Sequence, residues 1–362
     1  MSLTLGLISG TSCDGVDIAL VDFDTGIQLI QAGFEPYPEE IQKRLHQLIE
    51  SQHIELSVYA ELDMQLGVFF AEAAQRFLHA HNIPHNQVTA IGSHGQTIFH
   101  QPNGDMRNTI QLGAPQRIAA ETGIPVVARF RELDMAYAGQ GAPLAPAIHR
   151  ALFYKGVPIA AVNLGGIANI SGFTEDKTYG FDTGPASCLM DGWIQQHHAK
   201  AYDADGAWAA EGQLLPDLLA QMLNEPYFHQ AAPKSTGREL FNQYWLNQQL
   251  NGNEYNAADV QCTLAHLTAH SIVQGLQFLP YTAQQLVICG GGAHNGFLMR
   301  LLSSLFPGEV FSSSELGFDG DSVEAVLMAW LADQYMKGRT IDLSSVTGAE
   351  KALRYGVLFT PE

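Results

Sequence analysis

The spacing of apolar and polar positions predicts a chain of alternating strands and helices. Residues 3–9 form an apolar run and residues 16–23 alternate, so both are predicted strands joined by a polar turn. Apolar residues at helical spacing begin near Pro38 and recur over 56–80. The segment over 88–101 predicts a strand, a polar turn and a strand, and the next helix is predicted over 114–123, with its end at Gly123. A further apolar run over 124–130 predicts a buried strand. This succession is typical of an α/β protein.

The second half of the chain repeats the opening arrangement. "IAAVNLGGIANISGF" again shows an apolar strand, a Gly-rich turn and a second strand, and "LVICGGGAHNGFLMRLLSSLF" predicts a strand, a glycine turn and a helix. The Gly- and Pro-rich stretch over 138–149 interrupts the pattern between the halves. The sequence therefore predicts two similar domains, over 1–135 and 136–340, with a tail over 341–362 that can return to the first domain.

Composition and charge limit the classes of partner. The 362 residues carry 18 Lys+Arg against 37 Asp+Glu, a formal net charge of −19. Because nucleic acids and anionic membrane surfaces are bound by clustered cations, neither is expected as a partner. Small anions remain possible ligands, since backbone N–H groups and a metal ion can hold phosphates.

The cysteines and the N-terminus favour a reducing compartment. The four cysteines form no C-x-x-C pair, so neither a structural zinc nor a disulfide scaffold is expected. "MSLTLGLIS" has neither a basic segment nor a long apolar segment, and no apolar run reaches the roughly 18 residues of a membrane span. A cytoplasmic protein is the simplest expectation.

The turn between the first two strands is rich in groups that bind anions or metals. Its glycines let a ligand approach the backbone, its hydroxyls can donate hydrogen bonds, and its carboxylates suit Mg²⁺. These residues are Gly10, Gly15, Thr11, Ser12, Asp14 and Asp17. Such turns are also common as merely polar hairpins, so both interpretations stay open at this point.

Two later glycine turns have the same ambiguity. Gly165 and Gly166 in "NLGGIAN" either expose N–H groups to a ligand or form a tight bend. "CGGGAHNG" lacks the spacing of a dinucleotide fingerprint, and no P-loop pattern occurs in the chain. A strand, glycine turn and helix can still seat a phosphate or an adenosine at the helix N-terminus.

Several polar residues are candidates for chemistry. Asp182 in "GFDTGPAS" precedes a helix predicted to start near Pro185, so it suits a general base, although a helix N-cap is the commoner role. His266 and His270 have the i,i+4 spacing of zinc ligands but lack the glutamate of H-E-x-x-H, which favours a structural role. His94 in "SHGQT" is either a ligand contact or a structural histidine.

Taken together in chain order, the motifs resemble those of the anhydro-N-acetylmuramic acid kinase family. The resemblance runs nearly end to end, and the family belongs to the acetate and sugar kinase, heat-shock ATPase and actin superfamily. The matching stretches are "SGTSCDGVD", "GSHGQT", "GAPQRIAAETGIPVVARFRELD", "GQGAPLAPAIH", "NLGGIANI", "GFDTGPAS", "KSTGRELF", "CGGGAHN" and "DSVEA".

The resemblance implies two actin-like (ribonuclease H-like) domains with mixed sheets around a nucleotide cleft. The first two glycine turns would be phosphate loops and the third the adenosine element, with ATP and Mg²⁺ as cofactors and Asp14 and Asp17 as metal residues. The implied ATP-binding residues are Gly10, Thr11, Ser12, Cys13, Asp14, Gly15, Val16, Asp17, Asn163, Gly165, Gly166, Gly290, Gly291, Gly292 and Asn295.

The family's reaction opens and phosphorylates a bicyclic sugar in bacterial cell-wall recycling. Water opens the 1,6-anhydro bridge of 1,6-anhydro-N-acetylmuramic acid, and O6 takes the γ-phosphoryl group of ATP, giving N-acetylmuramate 6-phosphate and ADP. By resemblance Asp182 is the general base, in place of the N-cap role. Thr97, Gln116, Arg131 and Glu324 would contact the sugar, with the Arg131 guanidinium suited to the lactyl carboxylate.

Four residues depart from the family pattern: Ile8, Cys13, Tyr137 and Ser187. The first two should only change packing, whereas Tyr137 and Ser187 could alter substrate contacts.

Two other functions make different demands on the site. An actin-like ATP-binding switch would need no sugar pocket, and an anhydrosugar hydrolase would need two carboxylates but no nucleotide. Family members often pair, so a homodimer is possible, although no residue pattern shows an interface.

Overall fold

The computed structural model describes residues 3–10, 12–51, 53–232 and 234–362, without the side chains at 50 and 321. The chain divides into two compact units. Unit 1 comprises Met1–Ala151 and Ser322–Glu362, and unit 2 comprises Leu152–Asp321. No helix in the described part of the chain is long and apolar enough to cross a membrane.

Unit 1 contains a mixed sheet of seven strands in the order β12-β6-β4-β1-β2-β3, with β5 paired to β4. β1, β2 and β3 are antiparallel neighbours, whereas β4 is parallel to β1 and β6 is parallel to β4. The strands are β1 (Leu3–Ser9), β2 (Gly15–Asp22), β3 (Gln28–Pro36), β4 (Val88–Gln101), β5 (Asn108–Leu112), β6 (Val126–Ala128) and β12 (Val357–Phe359).

Unit 2 contains a mixed sheet of five strands in the order β11-β10-β7-β8-β9. β7, β8 and β9 are antiparallel neighbours, whereas β10 is parallel to β7 and β11 is parallel to β10. The strands are β7 (Ile159–Leu164), β8 (Ile167–Phe173), β9 (Thr178–Pro185), β10 (Gln285–Cys289) and β11 (Glu309–Ser312).

The two sheets share one plan. In each, the first strand of the unit lies between an antiparallel hairpin partner and a later parallel strand. Both sheets combine parallel and antiparallel strands, so the predicted α/β class with two mixed sheets is confirmed.

Helices connect and cover the strands in both units. In unit 1 they are α1 (Glu39–Ser51), α2 (Leu56–Ala80), α3 (Pro115–Thr122), α4 (Phe130–Ala136), α12 (Val323–Met336) and α13 (Ser344–Thr347), and the division between the units falls inside α5 (Ala145–Phe153). In unit 2 they are α6 (Ser187–His198), α7 (Ala207–Glu211), α8 (Pro216–Leu223), α9 (Gln243–Leu250), α10 (Ala257–Gly275) and α11 (Gly296–Leu305).

The central strand of unit 1 explains the packing on both faces of its sheet. Leu5 and Leu7 belong to an apolar core together with Leu66 of α2. Gly6 lies between these leucines, so it points to the opposite face. A Cβ atom at Gly6 would clash with the carbonyl oxygen of Ala325 in α12, which shows that the absence of a side chain admits the helix.

This close packing places α12 in unit 1, so the boundary predicted near residue 340 differs from the observed division. Gly92 of β4 makes the same kind of approach to α12, at the carbonyl group of Met328. The chain also leaves unit 1 later than residue 135, because the stretch after α4 is bonded to residues of the C-terminal tail. That tail reaches the sheet itself, since β12 pairs with β6.

Most predicted elements agree with the structure, and two do not. The helix over Leu56–Ala80 has the expected bounds, and α3 ends before Gly123, whose left-handed φ of 68° forms the C-cap. The predicted strand, turn and strand over 88–101 is instead one strand, β4, in which Gly95 takes a φ of +75°. Helix α6 begins at Ser187 rather than near Pro185, which ends β9.

The packing of β1 on α12 gives the first prediction. Gly6→Ala should lower the free energy of unfolding by about 1–3 kcal/mol, because the added methyl group must displace the backbone of α12. The measurement is the midpoint of chemical unfolding followed by circular dichroism. Gly192→Ala in α6 is the control, since its nearest atom would lie 3.6 Å away and alanine favours a helix. Equal midpoints for both variants would contradict the packing argument.

Candidate active site

The turn between β1 and β2 is held by a side chain from β4. The hydroxyl of Ser9 donates to Oε1 of Gln96 at 2.5 Å, and Nε2 of Gln96 donates to the carbonyl oxygen of Gly10 at 3.1 Å. Gln96 is almost fully buried, so this contact ties the turn to the neighbouring parallel strand. Thr11, one of the predicted ATP-binding residues, lies outside the described residues.

The same turn contains both buried and exposed side chains. Cys13 and Val16 belong to the core of unit 1, so only their backbone atoms are available to a ligand. Burial raises the pKa of the Cys13 thiol to about 11, which keeps it protonated. Ser12 and Asp14 are exposed, and the Ser12 hydroxyl donates to Oδ1 of Asp14 at 2.5 Å.

The predicted metal residues differ in their surroundings. Asp14 is exposed at the turn, whereas Asp17 is half-buried within β2, opposite Ile8 of β1 and Phe34 of β3. The described residues contain no group of three or more His, Cys, Asp or Glu that could enclose a metal ion. Mg²⁺ that arrives with a nucleotide needs only one or two carboxylates beside phosphates and water. The exposed carboxylate of Asp14 fits that donor set.

The turn between β7 and β8 is fixed by the start of α6. The carbonyl oxygen of Gly165 accepts from the N–H of Ser187, and that of Gly166 accepts from the N–H groups of Ala186 and Cys188, at 3.0–3.1 Å. These bonds occupy the carbonyl groups of the two glycines. Both carbonyl groups are therefore directed toward the start of α6, which is compatible with an anion-binding turn.

A cation that the sequence analysis left without a role lies beside this turn. A Cβ atom at Gly166 would sit 3.2 Å from Nη2 of Arg238, so the guanidinium occupies the space that a side chain would fill. Within the described part of the chain no carboxylate forms an ion pair with Arg238, although its charge lowers the pKa of Asp191 against the effect of burial. Only the motif "KSTGRELF" pointed to this segment from the sequence.

The third glycine turn packs against the second. A Cβ atom at Gly290 would meet Oδ1 of Asn163 at 2.6 Å, and one at Gly292 would meet the side chain of Leu164. Gly291 begins a short 3-10 turn and is exposed. The Asn295 side chain is committed locally, because its Oδ1 accepts from the N–H of Leu298 at 3.0 Å and caps α11.

Asp182 lies inside strand β9 and not at a helix entry, so the N-cap interpretation is wrong. Its direct neighbour across the sheet is Asn169 of β8, which in turn pairs with Asn163 of β7. Residues directly opposite each other on adjacent strands point to the same face of a sheet. Asp182 and the two asparagines therefore form one polar row at the level of the β7–β8 turn.

A closed cycle of hydrogen bonds fixes Asp182. Its N–H donates to the carbonyl oxygen of Lys234 at 3.1 Å, and its Oδ2 accepts from the N–H of Thr236 at 3.0 Å. Its own carbonyl oxygen accepts from the Tyr227 hydroxyl at 2.8 Å. The Lys234 ammonium closes the cycle by donating to the carbonyl oxygen of Tyr227 at 3.1 Å.

Lys234 is an unusual member of this cycle because it is 9% exposed. Its ammonium also donates to the carbonyl oxygen of Phe228 at 3.2 Å and lies 4.7–4.8 Å from the ring centroids of Tyr227 and Phe278. Burial lowers its pKa. Carbonyl oxygens and aromatic faces together replace the water that a buried ammonium loses.

The environment of Asp182 makes its carboxylate more basic than usual. Burial raises its pKa, the N–H of Thr236 opposes that effect, and the charge of Glu239 adds a smaller increase, so that the pKa is raised to about 6. A carboxylate with this pKa is ionised at neutral pH and accepts a proton more readily than an exposed aspartate. That is the property of a general base.

In unit 1, Arg131 is held by two partners. Its Nε donates to Nε2 of His94 at 2.9 Å, and its Nη1 donates to the carbonyl oxygen of Gly141 at 2.8 Å. Nδ1 of His94 lies 3.0 Å from the carbonyl oxygen of Gly95, to which it must donate, since Nε2 already accepts. His94 is thus a positioning residue for Arg131, and Nη2 of Arg131 has no partner among the described residues.

The loop that holds Arg131 is itself anchored by a buried acid that the sequence analysis did not single out. Asp134 is fully buried and accepts from the N–H of Gly141 at 2.7 Å. It also accepts from the hydroxyls of Thr347 and Tyr355, at 2.7 and 2.8 Å. Asp134 therefore connects the loop behind Arg131 to the C-terminal tail.

The other predicted sugar residues of unit 1 have different surroundings. The Thr97 hydroxyl accepts from Nε2 of Gln111 at 3.2 Å. Glu324 keeps contact with solvent. Desolvation of its carboxylate nevertheless raises its pKa, and the neighbouring charge of Arg131 opposes this effect. Gln116 is exposed on α3, and its Nε2 donates to the carbonyl oxygen of Thr360 at 2.7 Å, so its amide is engaged by the tail.

The two histidines of α10 form a pair without the other ligands of a metal site. His266 and His270 are half-buried, and their ring centroids lie 6.1 Å apart. Burial lowers the pKa of both. The described residues contain no group of three or more His, Cys, Asp or Glu around this pair, and its structural role stays a prediction.

Comparison with known proteins identifies similar sequences over nearly the whole chain. A family model described as anhydro-N-acetylmuramic acid kinase matches residues 2–361. The anhydro-N-acetylmuramic acid kinase of Pasteurella multocida is 46% identical, over 99% of this chain and 97% of that protein. Those of Shewanella amazonensis and Haemophilus influenzae are 47% and 44% identical, over 99% and 98% of this chain and 98% and 97% of those proteins.

Solved structures give a more distant likeness. Component A of (R)-2-hydroxyglutaryl-CoA dehydratase from Acidaminococcus fermentans is 10% identical, with a TM-score of 0.48 over 91% of this chain and 96% of that chain. A likeness this distant carries no argument about function.

The contact between His94 and Arg131 predicts the protonation state of the histidine. Burial and the charge of Arg131 lower the pKa of His94 to about 3, so the ring should stay neutral, with the proton on Nδ1, between pH 7 and pH 5. Nitrogen-15 NMR of the histidine rings measures this directly, and the spectrum of His94→Gln identifies the signals. An imidazolium signal for His94 at pH 6 would contradict the described geometry.

Proposed function

Since the chain belongs to the anhydro-N-acetylmuramic acid kinase family, we propose that it opens and phosphorylates 1,6-anhydro-N-acetylmuramic acid at the expense of ATP. The products are N-acetylmuramate 6-phosphate and ADP. The observation that carries the proposed mechanism is a half-buried carboxylate, Asp182, with a pKa raised to about 6, in a strand next to a glycine turn.

Asp182 acts as the general base on water. Its Oδ2 is held by the N–H of Thr236, which leaves Oδ1 to accept a proton. As the proton moves to Asp182, the water oxygen bonds to C1 of the sugar and the C1–O6 bond breaks. O6 then takes the γ-phosphoryl group, and ADP leaves. Fixed geometry of the base favours this step, because it is already oriented before the water arrives.

Backbone groups and few cations hold the triphosphate. The turn at Gly10 and the turn at Gly165 and Gly166 are the proposed phosphate loops. Arg238 supplies a positive charge beside Gly166, so a side-chain cation assists the backbone donors. Asp14 would hold Mg²⁺, directly or through water, and the ion supplies neutralisation of phosphate charge when bound.

Unit 1 would recognise the sugar. Nη2 of Arg131 is the part of the guanidinium left for the lactyl carboxylate, since Nε and Nη1 are engaged by His94 and Gly141. Thr97 and Glu324 would bind sugar hydroxyl or amide groups. Gln116 stays a prediction that requires its amide to leave the Thr360 carbonyl group. The cytoplasmic location and the homodimer also stay predictions.

Replacement of the base tests the proposal. Asp182→Asn keeps the hydrogen bond from Thr236 but lowers basicity, so turnover should fall by about a hundredfold or more. The measurement is ADP release with and without the anhydrosugar. Glu239→Gln is the control, because Glu239 acts on Asp182 only through its charge and should leave turnover nearly intact. Near-normal turnover of Asp182→Asn would contradict the assigned role, and sugar-independent ADP release by the wild type would contradict the function.

The pH dependence of kcat/KM tests the ionisation state. Because the base must be ionised and its pKa is raised to about 6, kcat/KM should fall about tenfold per pH unit below that value. Glu239→Gln should move this acidic limb to lower pH, since the Glu239 charge raises the pKa of Asp182. A limb near pH 4 in the wild type would mean that Asp182 is solvated like an ordinary aspartate, or that another group is the base.

A further inference from the structure

A polar atom without a partner lies directly across the sheet from the proposed base. Oδ1 of Asn169 is buried and has no hydrogen-bond partner in the described structure. Leaving a buried polar atom unsatisfied costs about 1–3 kcal/mol, so such an atom requires an explanation. Asn169 was not among the predicted site residues, although it closes the motif "NLGGIAN".

The pairing of β8 and β9 places Asn169 directly opposite Asp182. The two residues are direct cross-strand partners, and side chains in such pairs share a face with Cβ atoms about 4.5–5.5 Å apart. The register shifts next to them, between Ala168 and Asn169. Bulges of this kind commonly redirect a side chain next to an active site. A small molecule bound between the two side chains would contact both.

Water is the molecule whose hydrogen-bonding groups match this pair. The N–H of Thr236 occupies Oδ2 of Asp182, which leaves Oδ1 as an acceptor, and Oδ1 of Asn169 is a second acceptor. A water molecule has two protons to donate and keeps its lone pairs for bonding to carbon. Two acceptors therefore orient water as a nucleophile, whereas a single carboxylate leaves it free to rotate.

We propose that Asn169 and Asp182 together bind the attacking water, with Asn169 accepting one of its protons and Asp182 removing the other. Asn169 is then a further catalytic residue of the reaction proposed above, on which this inference rests. When the water oxygen bonds to C1, one proton moves to Oδ1 of Asp182, and the other stays on the new C1 hydroxyl, still donated to Asn169. No further reactant is needed.

Replacing Asn169 by an isostere without an acceptor tests this. Asn169→Leu should lower kcat by about ten- to a hundredfold, because the water would lose one of the two acceptors that orient it. The Kd of ATP and the KM of the anhydrosugar should stay within about threefold of wild type, because Asn169 is proposed to contact the water and neither of these ligands. The melting temperature reports on folding.

Asn169→Asp provides the rescue that a purely structural role would not give. A carboxylate at this position retains an acceptor for the water, so turnover at pH 8 should recover to at least about a tenth of wild type. The acidic limb of kcat/KM should move above pH 6, because the charge of one carboxylate raises the pKa of its neighbour.

The outcomes separate this inference from the proposed function. Sugar-dependent ADP release by wild type with normal kcat in Asn169→Leu overturns the role of Asn169 alone. The same holds if Asn169→Asp is as inactive as Asn169→Leu at pH 8, or if Asn169→Leu loses activity only through KM. A wild-type protein that releases no ADP with the anhydrosugar overturns the function itself.

Discussion

The backbone contacts that hold Asp182 are the constraint on which the proposed chemistry depends. The N–H and carbonyl groups of this residue and one carboxylate oxygen are all bound within unit 2, by Lys234, Thr236 and Tyr227. A strand position gives a carboxylate a fixed direction, and partial burial raises its pKa. The second carboxylate oxygen is left for a reacting proton. A single aspartate can thus be both rigidly held and basic.

The shared plan of the two sheets gives this arrangement its framework. In each unit a Gly-rich turn follows the central strand, at Gly10 in unit 1 and at Gly165 and Gly166 in unit 2. The turns are stabilised differently, by Gln96 in unit 1 and by the first residues of α6 in unit 2. Each unit therefore holds a similar turn with a different set of contacts.

The sequence predicted well what depends on local pattern. The bounds of α2, the C-cap at Gly123 and the three glycine turns follow from periodicity and from residues with special backbone freedom. The resemblance to a family predicted a general-base role for Asp182, whereas local pattern alone favoured a helix N-cap. The local pattern failed there because β9 continues to Pro185, and the length of a strand depends on its neighbour β8.

The parts of the site that the sequence did not predict are contacts between distant segments. Lys234 and Thr236 reach Asp182 from a segment without regular secondary structure, and Asp134 meets Tyr355 near the end of the chain. Periodicity carries no information on such pairs. From the sequence alone, the segment "KSTG" predicts an exposed polar loop. Only the structure shows that the Lys234 ammonium is buried and bound by two carbonyl groups.

We propose that Asp182 contacts the water that attacks the sugar. A crystal structure with the anhydrosugar and a non-hydrolysable ATP analogue would show this contact. We expect a water molecule within about 3 Å of Oδ1 of Asp182 and facing C1 of the sugar. A complex in which C1 lies against another carboxylate, with Asp182 separated from it by ordered protein, would rule out Asp182 as the base.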